Sequence, residues 1–204
     1  NEVPVMIGAA LKTDVPIIAL HVTRPAIIIP DRDKLGMDSH FAAAQGAYII
    51  KDYNDDRQKD GVVLVRGTSV ISELCKILPK IISDGPNVKI IAVLSWGLFN
   101  MQTEAYKMSL IKADEWLDCM VITNTSIGNM RHWVKHPLVA KYSISADWDN
   151  NWLHGGNLEE VIEEAHLSAD WQMKAMLRFA KERDLRINTL QGNLPSHLLE
   201  NFEL

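Results

Sequence analysis

Four short apolar segments most constrain what this chain can fold into. They are AYIIKDY (47–53), VVLVRG (62–67), VKIIAVL (88–94) and CMVITN (119–124). Each has the length of a β-strand and is rich in β-branched residues, which favour strands. Longer stretches with helical spacing separate most of them. Strands that alternate with helices predict an α/β fold with a largely parallel sheet.

The stretches between the strands have apolar residues at helical spacing. TSVISELCKILPKII (68–82) and LFNMQTEAYKMSLI (98–111) predict helices or turns, and Pro79 is expected to bend or end the first helix. Further along, AKYSISA (140–146) alternates apolar and polar residues, which predicts another strand.

Two helices are predicted to close the domain. Asn157 and Glu160 have the spacing of a capping box, in which each side chain bonds the main chain of the other residue, and LEEVIEEAHL follows. SADWQMKAMLRFAKER (168–183) predicts the second helix, whereas residues 184–204 show only a weak pattern.

We interpret the first residues of the chain as the end of another domain. VPVMIGAALK (3–12) predicts a helix, VPIIAL (15–20) a buried strand and residues 25–40 a linker or long surface loop. A lone helix and strand cannot bury both of their faces, so we expect an exposed apolar surface on residues 3–29, or self-association that covers it. We expect four parts: the end of one domain (1–30), a linker (31–45), a complete domain (46–183) and a tail (184–204).

Composition narrows the class of function. The 204 residues are 47% hydrophobic and 23% charged, as in soluble globular proteins, and their net charge of -5 argues against nucleic-acid binding. No basic run suggests a membrane surface, no signal peptide is visible and the apolar runs are too short to span a bilayer. Cys75 and Cys119 lie in apolar segments and are expected to be buried reduced thiols, which fits the cytoplasm.

Common catalytic and phosphate-binding motifs are absent from the sequence. It contains no Gly-x-Gly-x-x-Gly, Gly-x-x-x-x-Gly-Lys, Gly-x-Ser-x-Gly or Cys-x-x-Cys. His132 and His136 have the spacing of two zinc ligands, but no third ligand is evident, so no metal site is predicted. HGG (154–156) is typical of a turn, and the acidic run EEVIEEAH is typical of a solvated helix face.

The junction VRGTSVISEL is a candidate anion site. The strand ends at Gly67, and Thr68 and Ser69 lead into a helix, where free main-chain amides can hold an anion. Thr68 or Ser69 could instead act as an ordinary helix N-cap, which is the commoner use of these residues, and both interpretations stay open.

A second candidate lies in ALHVTRPAIIIPDR (19–32), at the end of the first predicted strand. The guanidinium of Arg24 suits a phosphate or carboxylate, and ligands of open α/β sheets bind at the carboxyl ends of strands. A surface ion pair with Asp31 or Asp33 is an equal alternative. His21 could bond a sugar hydroxyl or cap the strand.

The order of elements resembles the C-terminal portion of transketolase-like, thiamine-diphosphate-dependent enzymes over about residues 10–170. KTDVPIIALHVTRP is similar to the end of the family's pyrimidine-binding domain, where a strand runs into Ser-Arg-Gln. GAYIIKDY is similar to its Gly-Gly-Tyr-Val strand, and VVLVRGTSVISEL to its strand with an Ala-Thr-Gly-Ser-Glu-Val turn. Phe99, Gln102 and Tyr106 keep the spacing of the family's Phe-Asp-x-Gln…Tyr-Arg pattern.

This resemblance implies a three-layer α/β/α sandwich with a five-stranded mixed, mostly parallel sheet that helps to form a dimer. Thiamine diphosphate and magnesium would bind between upstream domains of two subunits. The family's Gly-Asp-Gly…Asn magnesium motif is absent, since SDG (83–85) does not match it, and the activating glutamate would lie upstream of Asn1. The resemblance therefore implies that this chain alone binds no cofactor and has no catalytic residues.

The full-length parent would transfer a two-carbon ketol unit from a ketose phosphate to an aldose, with thiamine as the electron sink. Arg24 matches the arginine of Ser-Arg-Gln, which binds the sugar phosphate, and His21 lies close to it in the sequence. The implied partners are the missing upstream domains, a second copy in a homodimer and the sugar phosphate, but no nucleic acid and no membrane.

Departures from the family pattern leave the subfamily open. Pro25 replaces the glutamine of Ser-Arg-Gln, Thr123-Asn124 falls where relatives have a glutamate, and SADWDNNW falls where they have Phe-Gly. The parent could be a divergent transketolase, a deoxyxylulose-phosphate synthase relative or a two-oxoacid dehydrogenase component. A rival hypothesis is a stand-alone assembly or small-anion-binding module that partners a thiamine-dependent subunit.

Overall fold

Five strands form one mixed sheet at the centre of the molecule. They are β1 (Ala47–Lys51), β2 (Val62–Arg66), β3 (Lys89–Val93), β4 (Cys119–Thr123) and β5 (Ile144–Ser145). Their spatial order is β1-β3-β2-β4-β5; β1 is antiparallel to β3, and all other neighbours are parallel. This computed structural model describes residues 2–22, 26–147 and 153–192.

Helices connect and cover the strands. They are α1 (Glu2–Ala10), α2 (Thr68–Ser83), α3 (Trp96–Asn100), α4 (Glu104–Leu110), α5 (Pro137–Tyr142), α6 (Leu158–Glu164), α7 (Ala169–Lys181) and α8 (Arg183–Leu190). Two short 3₁₀ helices cover His40–Gln45 and Ile127–Met130. The capping box of Asn157 and Glu160 is present at the start of α6, which confirms that prediction.

Both faces of the sheet are buried. Along β2, Val63 and Val65 pack in the core that α2, α6 and α7 cover, whereas Val62 and Leu64 pack in the opposite core with residues of α3, α4 and α5. This alternation places one layer of helices on each side, because successive side chains of a strand point to opposite faces. The predicted three-layer α/β/α sandwich with a five-stranded, mostly parallel sheet is confirmed.

The predicted buried strand at residues 15–20 is wrong. These residues form no regular secondary structure and are exposed, and Ile17 keeps 82% of its surface in solvent. A strand needs a hydrogen-bonded neighbour, and the described part of the chain offers none to this segment. The expected apolar surface on residues 3–29 is present, since Ile28, with 88% of its surface exposed, continues it.

The strand prediction after Pro137 fails, and of the two effects expected of Pro79, the ending of α2 does not occur. The strand predicted at 140–146 shrinks to Ile144–Ser145, because Pro137 opens α5 and Leu138, Val139 and Tyr142 form its buried face. Pro79 does not end α2, which runs on to Ser83 because Leu78 and Ile81 anchor its last turns in the core.

Residues 183–190 form α8, although the sequence pattern indicates no element after residue 183. Arg186 is buried to 1% exposure, and its Nε donates to Asp118 Oδ1 at 2.7 Å. Its Nη2 donates to the carbonyl oxygen of Asp60 at 2.8 Å, and the guanidinium lies 3.5 Å from the ring centre of Phe179. Arginine is usually exposed, so its position in a sequence does not indicate a core contact. The sequence pattern therefore does not reveal a helix that an ion pair of a buried arginine holds in place.

Candidate functional site at the carboxyl end of the sheet

The parallel strands β2 and β4 end side by side, with Arg66 opposite Thr123, and so bring Gly67 and Asn124 together. Gly67 has φ of 110°, a conformation that L-residues rarely adopt. A Cβ at this position would lie 2.1 Å from Asn124 Oδ1. Gly67 is therefore required both by the turn from strand to helix and by the close approach of Asn124.

The start of α2 is built without a side-chain cap. Gly67 is the N-cap residue, so the alternative in which Thr68 or Ser69 caps the helix is wrong. Thr68 is exposed, whereas Ser69 is buried and its hydroxyl accepts a hydrogen bond from Asn124 Nδ2 at 3.1 Å. The anion site at Gly67, Thr68 and Ser69 stays a prediction.

Arg66 places a positive charge beside this junction. Its Nη1 donates to the carbonyl oxygen of Asn129 at 3.3 Å and lies 3.7 Å from Met130 Sδ. No carboxylate pairs with Arg66 in residues 2–22, 26–147 or 153–192. Arg66 was not among the predicted site residues, although its position near the end of a predicted strand was the available signal.

Asp147, which follows β5, holds the loop after β4. Its carboxylate accepts hydrogen bonds from Ser126 Oγ at 2.5 Å, Ser145 Oγ at 2.7 Å and the main-chain N–H of Ile127 at 3.1 Å. Desolvation is the largest single influence and favours the neutral carboxyl, but these hydrogen bonds together lower the pKa of Asp147. The residue therefore serves as an anionic acceptor that fixes the loop.

An aromatic cluster lies next to the end of β3. Trp96 stacks on His132 with ring centres 5.2 Å apart and meets Trp133 edge-on at 5.1 Å. Lys135 Nζ lies 5.0 Å from the ring centre of Trp96 and 5.5 Å from that of Trp116. The cluster packs α3 against the segment after the second 3₁₀ helix, as offset and edge-on aromatic pairs commonly do.

The three residues that carried the sequence resemblance have structural contacts. Phe99 is buried 5.1 Å from Trp133, measured between ring centres. Gln102 Nε2 donates to the carbonyl oxygen of Leu98 at 2.8 Å, and the Tyr106 hydroxyl donates to that of Ala47 at 2.7 Å. This pattern therefore fastens α3 and α4 to the sheet.

The histidines singled out in the sequence make separate contacts. His136 caps α5, accepting at Nδ1 from the N–H of Leu138 at 3.2 Å, while His132 stacks on Trp96. His154 Nδ1 lies 2.6 Å from Glu164 Oε1. His21 is exposed, and Arg24 lies outside the described residues. The substrate-binding roles of both residues stay predictions.

Among the described residues, the side chains do not fit thiamine diphosphate with its magnesium ion. Within the described ranges, no three His, Cys, Asp or Glu side chains converge as a metal site would require. The carboxyl end of the sheet offers one carboxylate, Asp147, and its oxygens are taken by hydrogen bonds.

Comparisons with known proteins agree with this architecture. No protein-family model matches the chain. The transketolase of Leishmania mexicana superposes with a TM-score of 0.54 at 13% identity, covering 72% of this chain and 19% of that one. A transketolase of Pichia stipitis in complex with sedoheptulose-7-phosphate superposes with a TM-score of 0.53 at 14% identity, covering 71% of this chain and 19% of that one. The chain has a transketolase-like fold.

Sequence comparison points the same way over a shorter range. Transketolase 10 of Craterostigma plantagineum is 27% identical over 94 residues, which are 45% of this chain and 14% of that protein. The chain thus spans less than a fifth of the length of these transketolases. In the described part of the chain, no helix combines the length and apolar character needed to cross a bilayer.

Proposed function

We propose that this chain is the C-terminal part of a transketolase-like transferase, in which it serves structure and dimerisation and is inactive alone. The observation that carries the proposal is the fold, a mixed sheet with one antiparallel edge strand that superposes on a transketolase over 72% of the chain. Because the match covers only 19% of that enzyme, most of such a transferase would lie outside these residues.

The proposed enzyme transfers a two-carbon ketol unit between sugar phosphates. Its donor would be a ketose phosphate of the kind held by the Pichia stipitis transketolase, sedoheptulose-7-phosphate. When bound in the parent, thiamine diphosphate with magnesium supplies the electron sink for this chemistry. We place the enzyme in the cytoplasm.

In this proposal residues 1–30 end the pyrimidine-binding domain, 31–45 form a linker and 46–183 form the C-terminal domain, followed by a tail over 184–204. Arg24 would bind the phosphate of the sugar, because a guanidinium makes two parallel hydrogen bonds to such a group. His21, which is exposed three positions earlier, would contact a sugar hydroxyl.

The local architecture supports a structural role. Phe99, Gln102 and Tyr106 fasten helices to the sheet, and Asp147 fixes a loop. All four use their side chains on neighbouring protein groups, which is the behaviour of a supporting domain.

The test is an assay of the purified chain with thiamine diphosphate, magnesium, a ketose phosphate donor and an aldose phosphate acceptor. We expect no ketol transfer and no calorimetric binding of thiamine diphosphate, while an authentic transketolase turns over under the same conditions. Turnover that follows the pure chain through successive columns would contradict the proposal.

A further inference from the structure

Charge is divided between the two ends of the sheet. Carboxylates collect at the amino end, where the parallel strands begin, since Asp60 lies just before β2 and Asp118 just before β4. Where β2, β3 and β4 end, the segments that follow contain no Asp or Glu; they are 67–72, 94–103 and 124–146. The chain has a net charge of -5, so this gap among its carboxylates makes the carboxyl end of the sheet the more attractive end for an anion.

Two guanidinium groups at the carboxyl end are held by neutral acceptors. Arg66 Nη1 donates to the carbonyl oxygen of Asn129 at 3.3 Å, and Arg131 Nε donates to His132 Nε2 at 3.4 Å. Like Arg66, Arg131 forms no ion pair with a carboxylate in the part of the chain that the structure describes. Both side chains keep N–H groups for a further acceptor, because a guanidinium carries more donors than these contacts use.

Lys135 is placed by aromatic rings and not by a counter-ion. Its Nζ lies against the rings of Trp96 and Trp116, and Trp96 also stacks on His132, the residue that Arg131 contacts. The exposed side chains of Arg131, His132 and Lys135 are thus joined to one aromatic cluster. Cations that are positioned before a ligand arrives lose less conformational freedom when it binds.

Asp147 limits the kind of anion that this surface can take. Its Oδ1 accepts from the main-chain N–H of Ile127 at 3.1 Å, at the start of the 3₁₀ helix whose other end leads to Arg131. A polyanion that covered the whole carboxyl end would meet the Asp147 carboxylate and the net negative charge of the chain. A small anion that contacts only the cations avoids Asp147.

We propose that Arg66, Arg131 and Lys135 bind a small molecule that carries a phosphate group. A phosphate has several oxygens, which can accept hydrogen bonds from two guanidinium groups and contact an ammonium group at the same time. The carboxyl ends of parallel strands are also where open α/β sheets bind their ligands. This inference goes beyond the proposed function, in which Arg24 and His21 hold the sugar phosphate.

The first test is a titration of the isotope-labelled full chain, followed by nuclear magnetic resonance at constant ionic strength. The probes are inorganic phosphate, a ketose phosphate and AMP, with sodium chloride as the control. We expect saturable shift changes from a phosphate probe and none from chloride. Similar affinity for all three probes would identify the phosphate group as the whole determinant, whereas tighter binding of one organic phosphate would identify its carrier. No saturable change from any of the three, or equal changes from chloride, would overturn the proposal.

The positions of the shift changes test where the phosphate binds. The changes should concentrate in residues 129–135 and in the indole N–H of Trp96, which lies against His132 and Lys135. Residues 112–118, before β4 at the amino end of the sheet, should keep their shifts. Changes confined to the amino end would contradict the proposed site, and this comparison needs no substituted chain.

Arg131→Gln should weaken phosphate binding by about tenfold or more, since it removes a charged donor from the site. Arg131 is exposed, so this variant should fold like the parent chain. Lys112→Gln is the matched control, because Lys112 is also exposed and its main-chain N–H contacts Glu115 at the other end of the sheet. Unchanged affinity in Arg131→Gln would refute the site and leave the transketolase-like assignment intact, because the turnover assay tests that assignment.

Discussion

Gly67 is the residue on which the carboxyl end of the sheet depends most. Its φ of 110° and the 2.1 Å separation between a Cβ there and Asn124 Oδ1 leave no room for a side chain. The sequence identified the Gly67–Ser69 junction from its position after a strand. It could not indicate that Asn124, 57 positions later, would close over the glycine, because that approach depends on the pairing of β2 with β4.

Gly67→Ala should lower the free energy of unfolding by about 2–4 kcal/mol, since it combines a strained φ with a steric clash. Urea unfolding followed by circular dichroism measures the change. Gly128→Ala is the matched control, because Gly128 has no positive φ and its nearest neighbour would lie 3.6 Å from the new Cβ. Equal losses in the two variants would contradict the role assigned to Asn124.

The two cysteines differ in burial, although the sequence predicts both as buried thiols. Both are free; Cys119 is buried and Cys75 is only half-buried. Burial, helped by the neighbouring charge of Asp118, raises the pKa of Cys119 to about 12, and burial also raises the pKa of Cys75.

Cys119 should therefore resist a thiol reagent at pH 8 until the chain unfolds. A folded pKa above the unfolded value means that the contribution of Cys119 to stability is complete below about pH 8.5 and falls as the pH rises towards 12. Mass spectrometry that counts the modified thiols in native buffer and in urea measures the resistance of Cys119 to the reagent. Rapid modification of Cys119 in the native chain would contradict the claim that its thiol is buried.

At the scale of elements, segments with a clear local residue pattern were predictable. The strands β1 to β4 and the capping box of α6 follow from local pattern. Residues 15–20 have the same apolar character, yet they form no strand because pairing needs a neighbour, which no local pattern can supply. Residues 140–142 became helix because His136 and Pro137 start α5, a signal that the alternation of the following residues obscured.

Helix α8 should depend on one buried ion pair. Arg186→Met leaves the half-buried Asp118 carboxylate without its partner and the carbonyl oxygen of Asp60 without its donor, which costs about 3 kcal/mol of unfolding free energy. Arg178→Met is the control, because the Arg178–Glu182 pair is exposed and is worth at most about 1 kcal/mol. Thermal unfolding of the two variants compares them, and similar midpoints would show that Arg186 does not hold α8.

At the scale of the whole molecule, the order of strands and helices was enough to predict the layers of the sandwich, and superposition on transketolases agrees with that prediction. The candidate site was harder to predict than the layers. Arg66 and Asn124 are brought to one place only by the pairing of β2 with β4, while Arg24 was proposed from a motif and lies outside the described residues.

The central claim is that this chain is one part of a larger thiamine-dependent transferase. The most direct measurement is to read the coding sequence upstream of the codon for Asn1. We expect several hundred further codons that include a Gly-Asp-Gly…Asn motif and, after it, the glutamate that activates the cofactor. An initiation codon immediately before Asn1 would contradict the claim and would direct attention to a separate catalytic subunit.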